Sequence, residues 1–142
     1  MYSKKVMEHF QNPHNYGKIE NPDGIGKVGN PRCGDIMYLY IKVENDIITD
    51  IKFETMGCAA AIATSSVVTD LAKGKNILEA LKLNSQNVVD ALEGLPVIKV
   101  HCSLLAADAL AEAVYDYLKK NRREIPNDLE EKHAKINKEH GE

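Results

Sequence analysis

Three cysteines stand at three separated points of the 142-residue chain, each in a setting that suits a metal ligand better than core filler. Cys33 lies in Asn30-Pro31-Arg32-Cys33-Gly34-Asp35, Cys58 in Met56-Gly57-Cys58-Ala59, and Cys102 in Lys99-Val100-His101-Cys102-Ser103. Asp35 and His101 add a carboxylate and an imidazole. Three thiolates and these two donors could form one site for iron or zinc. A single cysteine beside an apolar segment is more often an inert buried residue. Three of them at loop-to-element junctions, two with a glycine alongside, shift the balance toward a site. No CxxC pair is present, so spacing alone is not a zinc-finger signature. Asp35 could equally be a turn or capping carboxylate, and His101 a surface or helix-start histidine. His9, His14, His133 and His140 read as solvated, since none has a cysteine beside it.

The elements that must position these donors can be read from pattern. Residues 3–10 predict a short amphipathic helix with Val6, Met7 and Phe10 on one side, broken by Asn12-Pro13. Residues 11–23 read as irregular, and 1–23 as a mobile segment. Gly24 to Gly29 predicts a short strand. Asp35 to Val43 alternates cleanly, with Met37, Leu39, Ile41 and Val43 on one face. After the turn at Glu44-Asn45-Asp46, Ile47, Thr49, Ile51 and Phe53 form one face of a second strand, giving an antiparallel hairpin. Ala59 through Lys73 then predicts a helix rich in small residues, stopped by Gly74. Asn76 with Glu79 resembles a capping box, and Ser85 could cap a further helix that ends at Gly94. Ser103 through Lys120 predicts the longest helix. Its apolar stripe is Leu104, Ala107, Ala111, Val114 and Leu118; Asp108, Glu112 and Asp116 form an acidic stripe that reads as a solvated face. Asn127 could cap a final charged helix that packs weakly or frays, so 121–142 reads as a charged helix or tail. Strands followed by helices imply an α+β domain.

On this reading Cys58 and Cys102 each directly precede a helix, where partial positive charge favours thiolate. Cys33 and Asp35, two apart across a glycine, would point to the same side of an extended segment. Gly34 and Gly57 would let backbone approach a metal or inorganic sulfide closely.

Composition sets the outer bounds. A chain of this length is most simply one domain, 1–142. The 44% hydrophobic fraction is ordinary, and with no tryptophan the core must be mainly aliphatic. A formal net charge of −3 argues against nucleic acid as the main partner. No apolar run reaches the length of a membrane span. The odd cysteine count and the lack of an apolar leader fit a reducing, cytoplasmic setting.

Taken together, four segments resemble the iron–sulfur cluster assembly scaffold family of the IscU/NifU N-terminal type. They are Tyr2 to Pro13, Gly29 to Met37, Phe53 to Ser66 and Leu95 to Ser103, and the resemblance spans residues 2 to about 120. It implies a small three-stranded antiparallel sheet covered by helices. It also implies that Cys33, Asp35, Cys58, His101 and Cys102 hold the functional positions. The spacing of roughly forty residues between Cys58 and Cys102, with His101, is similar to the IscU branch. The SufU branch carries an insertion there and lacks the histidine. Many bacterial members have Leu-Pro-Pro-Val-Lys before the histidine, a chaperone recognition segment. Here it is Leu95-Pro96-Val97-Ile98-Lys99, and losing the second proline relaxes the extended backbone that segment needs, which puts chaperone-assisted release in question.

The resemblance implies a scaffold rather than an enzyme, on which a transient 2Fe-2S cluster is built and passed on. Sulfur would arrive as a persulfide from a cysteine desulfurase, with Cys102 as first acceptor. Iron would bind among Cys33, Asp35, Cys58 and Cys102, with His101 as alternate donor. Partners implied are the desulfurase, an iron donor or regulator, a ferredoxin-type electron donor and recipient apoproteins, with a homodimer when cluster-bound. The alternative is a zinc-binding adaptor that activates a desulfurase, since zinc and iron compete for the same thiolates. A cysteine-dependent hydrolase using Cys102 is the weakest reading, because His101 is adjacent in sequence and no third orienting residue is evident.

Overall fold

The computed structural model describes residues 2–30 and 35–139. Three strands, β1 (Gly24–Asn30), β2 (Asp35–Glu44) and β3 (Ile47–Thr55), form an antiparallel sheet in the order β1-β2-β3. Six helices accompany it: α1 (Lys4–Gln11), α2 (Ala59–Ala72), α3 (Ile77–Ala80), α4 (Ser85–Ala91), α5 (Val100–Lys120) and α6 (Asn127–Glu139). The α+β architecture implied by the sequence is the one observed. None of the helices among the described residues is long and apolar enough to cross a membrane.

The hairpin closes through Asn45 (φ 52°) and Asp46 (φ 62°), the paired positive φ values that a type I′ turn requires. Met37, Leu39 and Ile41 of β2 face the core as expected. In β3 the expected alternation fails at its start. Lys42 pairs with Asp50 but Val43 pairs with Ile48, so β3 carries an extra residue at a bulge. The bulge rephases the strand: Ile48, Ile51 and Phe53 are buried while Thr49 is exposed. The outer edge of β3 is covered by the segment after α1. Phe53 donates its N–H to Asn15 O (3.0 Å), Gly17 donates to Phe53 O (2.8 Å), and Tyr16 meets the Phe53 ring edge-on at 5.2 Å.

Small residues let α2 be buried on nearly all sides. Ala60, Ala61, Ala63, Thr64, Ser65 and Ser66 are all inaccessible to solvent, with α1, α5 and β3 packed around them. Ser65 and Thr64 return their hydroxyls to Ala61 O, so these buried polar atoms are satisfied within the helix. Helix α1 is capped by Ser3, whose Oγ accepts from Val6 N and donates to Leu92 O at 2.6 Å. Only Val6 of its expected apolar side is buried; Met7 and Phe10 are over a third exposed. Helix α4 begins one residue earlier than the Ser85 cap expected, with Asn84 and Asn87 forming a reciprocal capping box.

Helix α5 lies against β1. The fit depends on glycine: a Cβ at Gly26 would sit 2.0 Å from Ala109 O and 2.7 Å from Ala113 N, and one at Gly24 2.3 Å from Ala113 O. Strand backbone and helix backbone are thus in direct contact. The acidic stripe of α5, expected to be solvated, is instead used. Asp116 accepts the edge amide of Ile25 (2.9 Å) and pairs with Lys120, Glu112 bonds His133 of α6 (2.7 Å), and Asp108 is 4% exposed. His133, also expected to be solvated, stacks on Tyr115 at 3.7 Å. Helix α6 covers this face, burying Leu129 and Ile136, whereas Leu104 of the expected apolar stripe is 48% exposed.

Gly26→Ala should therefore cost at least ~3 kcal/mol, because only backbone atoms stand in the way and neither element can yield without moving the other. Urea denaturation checks this; a loss under ~1 kcal/mol, the ordinary scale of a tolerated substitution, would contradict the direct backbone contact.

Candidate functional site

The N-terminal turns of α2 and α5 meet at one end of the molecule, and each carries a cysteine. Cys58 is the N-cap of α2, extended at φ −75° and ψ −179°, and half-buried. Cys102 is fully buried and packs with Ala60 and Ala61 of α2, with Cys58, Tyr2 and Leu95 against the same cluster. The two thiols, more than forty residues apart in sequence, share one small neighbourhood. The N-cap residues Cys58 and Lys99 make no side-chain capping bond. The partial positive charge of the two helix starts faces the thiols, a setting that favours anionic ligands.

Cys102 does not precede its helix as expected. Val97–Lys99 form a 3₁₀ turn that runs directly into α5 at Val100, so His101 and Cys102 lie within the first α-helical turn. A helix sends adjacent side chains about 100° apart. Cys102 consequently turns into the core while His101 stays at the surface. The imidazole is nonetheless aimed. His101 Nδ1 lies 3.1 Å from Ile98 O, and Nε2 lies 3.7 Å from Cys102 Sγ. A carbonyl only accepts, so Nδ1 carries the proton and, in the neutral ring, Nε2 turns its lone pair toward the sulfur. A ring nitrogen anchored to backbone fixes the orientation of the other, as it does in metal-ligating histidines.

Lys99 was not among the residues picked out from the sequence. Its ammonium is held above the ordinary lysine range, first by charge at Cys58 and then by charge at Tyr2, with a hydrogen bond to Cys58 adding to the effect. The sequence marks it only as the last residue of the Leu95–Lys99 segment, two positions before His101. Of the remaining expected donors, Asp35 opens β2 in register with Asn30 of β1. Cys33 lies outside the described residues, as does the geometry expected of the Cys33–Asp35 pair. His140 also lies outside them.

Apolar side chains are exposed in the segments that carry the thiols. Met56 is 81% exposed, Val97 89% and Ile98 79%. Val97 and Ile98 lie in a 3₁₀ turn, not in extended backbone.

The Lys99 contact has a testable sign. A raised lysine pKa means that the fold favours the ammonium, an effect present below the unfolded lysine value and lost as pH rises through the folded one. Cys58→Ser removes its leading cause and should move the Lys99 midpoint down toward its ordinary value, measured by NMR titration of the side-chain methylene signals. An unmoved midpoint would show that the ammonium does not sense Cys58.

Comparison with known proteins follows the same lines. The family profile described as the NifU-like N terminal domain matches residues 1–124. The chain is 60% identical over 121 residues to the iron-sulfur cluster assembly scaffold protein IscU 1 of Archaeoglobus fulgidus, covering 85% of this chain and 79% of that protein. It is 46% identical over 137 residues to the iron-sulfur cluster assembly scaffold protein IscU of Aquifex aeolicus, covering 92% and 87%. Among solved structures it is similar to a protein from Fervidobacterium islandicum described as an iron-sulfur cluster assembly scaffold for the SUF system. That match has a TM-score of 0.66 and 29% identity, over 80% of this chain and 96% of the other. Profile, relatives and fold agree, and the chain belongs to the NifU-like N-terminal domain family.

Proposed function

We propose that this chain is a scaffold on which an iron–sulfur cluster is assembled and from which it is handed to acceptor proteins. The observation that carries this reading is the meeting of Cys58 and Cys102 at the converging N-termini of α2 and α5, with His101 Nε2 turned toward the second thiol. The scaffold names of its relatives support it.

The finer reading is a 2Fe-2S cluster held among Cys33, Cys58 and Cys102, with Asp35 or His101 completing the set. Permanent clusters usually have four cysteine ligands. A site with three thiolates and one oxygen or nitrogen donor holds its cargo less firmly, which suits a donor. Sulfur arrives as a desulfurase persulfide. The Cys102 thiolate attacks the outer sulfur, a new S–S bond forms on Cys102, and the desulfurase cysteine leaves as thiolate. Cys102 is buried, so this step requires the start of α5 to open. Opening there costs little burial: the turn is a 3₁₀-to-α junction whose N-cap residue makes no side-chain bond, and Val97 and Ile98 bury little. The exposed Met56, Val97 and Ile98 then form an apolar rim for the partner that brings sulfur or takes the cluster. The Lys99 ammonium favours accumulation of negative charge as sulfide and thiolates gather.

Two outcomes check this reading. Incubation with a desulfurase and cysteine, followed by mass spectrometry, should show one added sulfur on Cys102, abolished by Cys102→Ser. Sulfur confined to Cys58 would reassign the acceptor. Asp35→Ala should slow release and lengthen the lifetime of the assembled cluster, with His101 left as the fourth donor, followed by loss of visible absorption on adding an iron chelator. A mutant that loses its cluster as fast as the parent would remove Asp35 from the release step.

A further inference from the structure

A second concentration of ligand chemistry lies well away from the thiols, where the N-terminal segment crosses the far end of α2. His9 is in the last turn of α1, His14 follows the Asn12-Pro13 break, and Asp70 is in the last turns of α2. Each brings one donor atom within 4.8 Å of the others. The imidazole centroids are 4.6 Å apart and tilted by 53°. Asp70 lies twelve residues along α2 from Cys58, or about 18 Å of helix, so the two groups of donors are distinct.

The surroundings of these three side chains are already ordered. His9 Nδ1 is 2.7 Å from Ser66 Oγ, so Nε2 is the nitrogen left to face a ligand. Ser66 Oγ also accepts the backbone N–H of His14 at 2.8 Å, fixing where the second imidazole starts. One carboxylate oxygen of Asp70 accepts from Asn15 Nδ2 (3.1 Å), and the other lies 2.5 Å from His14 Nδ1. Asn15 Nδ2 is itself steadied by Thr69 Oγ1. Hydrogen bonds of this kind, on the atoms next to the donors, are what orient ligands at metal sites. The His14–Asp70 ion pair accounts for two of the three residues. It does not include the second imidazole, which is set against the first, bonds Ser66 instead and would repel His14 when both are protonated.

We propose that His9, His14 and Asp70 form a site for a divalent first-row transition ion of the zinc or ferrous class. Two imidazoles and one carboxylate suit these ions, whereas magnesium and calcium take oxygen donors. Donor atoms around such an ion stand about 3 Å apart, given metal–ligand distances of about 2.0–2.2 Å. The observed spacing closes to that by side-chain rotation, with His14 and Asp70 exchanging their mutual bond for the ion. His14 and Asp70 are about half exposed, which leaves the remaining coordination positions open to water. An ion here joins residues 9–14 to α2 and fastens the N-terminal segment without engaging a thiol.

The test is a titration with Co²⁺ of the chain in which Cys33, Cys58 and Cys102 are all serine, with folding checked by circular dichroism. One equivalent should bind in the micromolar range. His14→Gln or Asp70→Asn should each weaken it at least tenfold, and Co²⁺ should slow hydrogen exchange at the His14 amide. If the serine chain does not fold, the native chain serves. It should take up two equivalents, one of them without a thiolate-to-cobalt absorption band, and His14→Gln should abolish that one alone. Absence of binding below millimolar Co²⁺ in the folded serine chain, a native chain that takes a single equivalent, or binding indifferent to His14→Gln would each overturn the site.

Discussion

The direct seating of α5 on β1 governs the rest of the molecule. Gly24 and Gly26 remove the atoms that would hold helix and strand apart, so the α5 backbone touches the sheet. That contact fixes the height and direction of α5, and α2 packs beside it through alanines, serines and threonines. With both helices so placed, their N-terminal turns fall together at one end, and Cys58 and Cys102 meet there. Two helix starts, not a long loop, bring Cys58 and Cys102 together.

The same arrangement supplies the electrostatics. Two helix N-termini and the Lys99 ammonium converge on a place where thiolates and sulfide would accumulate negative charge. The burial of Cys102 beside Ala60 and Ala61 opposes free access. In the proposed scaffold reading, a site that favours anionic cargo would be entered by opening of this helix start. Exposed Val97 and Ile98 sit on that helix start, so a partner that covers them acts on the element that shields Cys102.

Much of this was legible from residue pattern. The β2–β3 hairpin, the small-residue helix after Cys58 and the stop at Gly74 follow from local rules that the fold leaves intact. The failures have physical causes. The β3 phase was misread because a bulge adds a residue without changing the local alternation enough to announce itself. The start of α5 was placed at Ser103 because Pro96 and the polar residues around His101 resemble a cap, while the 3₁₀ turn continues through them. Asp108, Glu112 and Asp116 repeat every fourth residue whether water or α6 covers them, so periodicity could not reveal the bonds to His133 and Ile25. The pairing of His14 with Asp70 spans 56 positions and leaves no local trace. Cys33 and Asp35 stand out by residue type and by their spacing across Gly34, and the resemblance adds that they hold functional positions.

Anaerobic reconstitution with ferrous iron, cysteine and a desulfurase, followed by addition of an apo-ferredoxin, tests the central claim most directly. The account predicts visible absorption that builds on this protein, depends on Cys58 and Cys102, and then moves to the ferredoxin. A colourless protein that retains tightly bound zinc at the same thiols, yet accelerates the desulfurase, would contradict it.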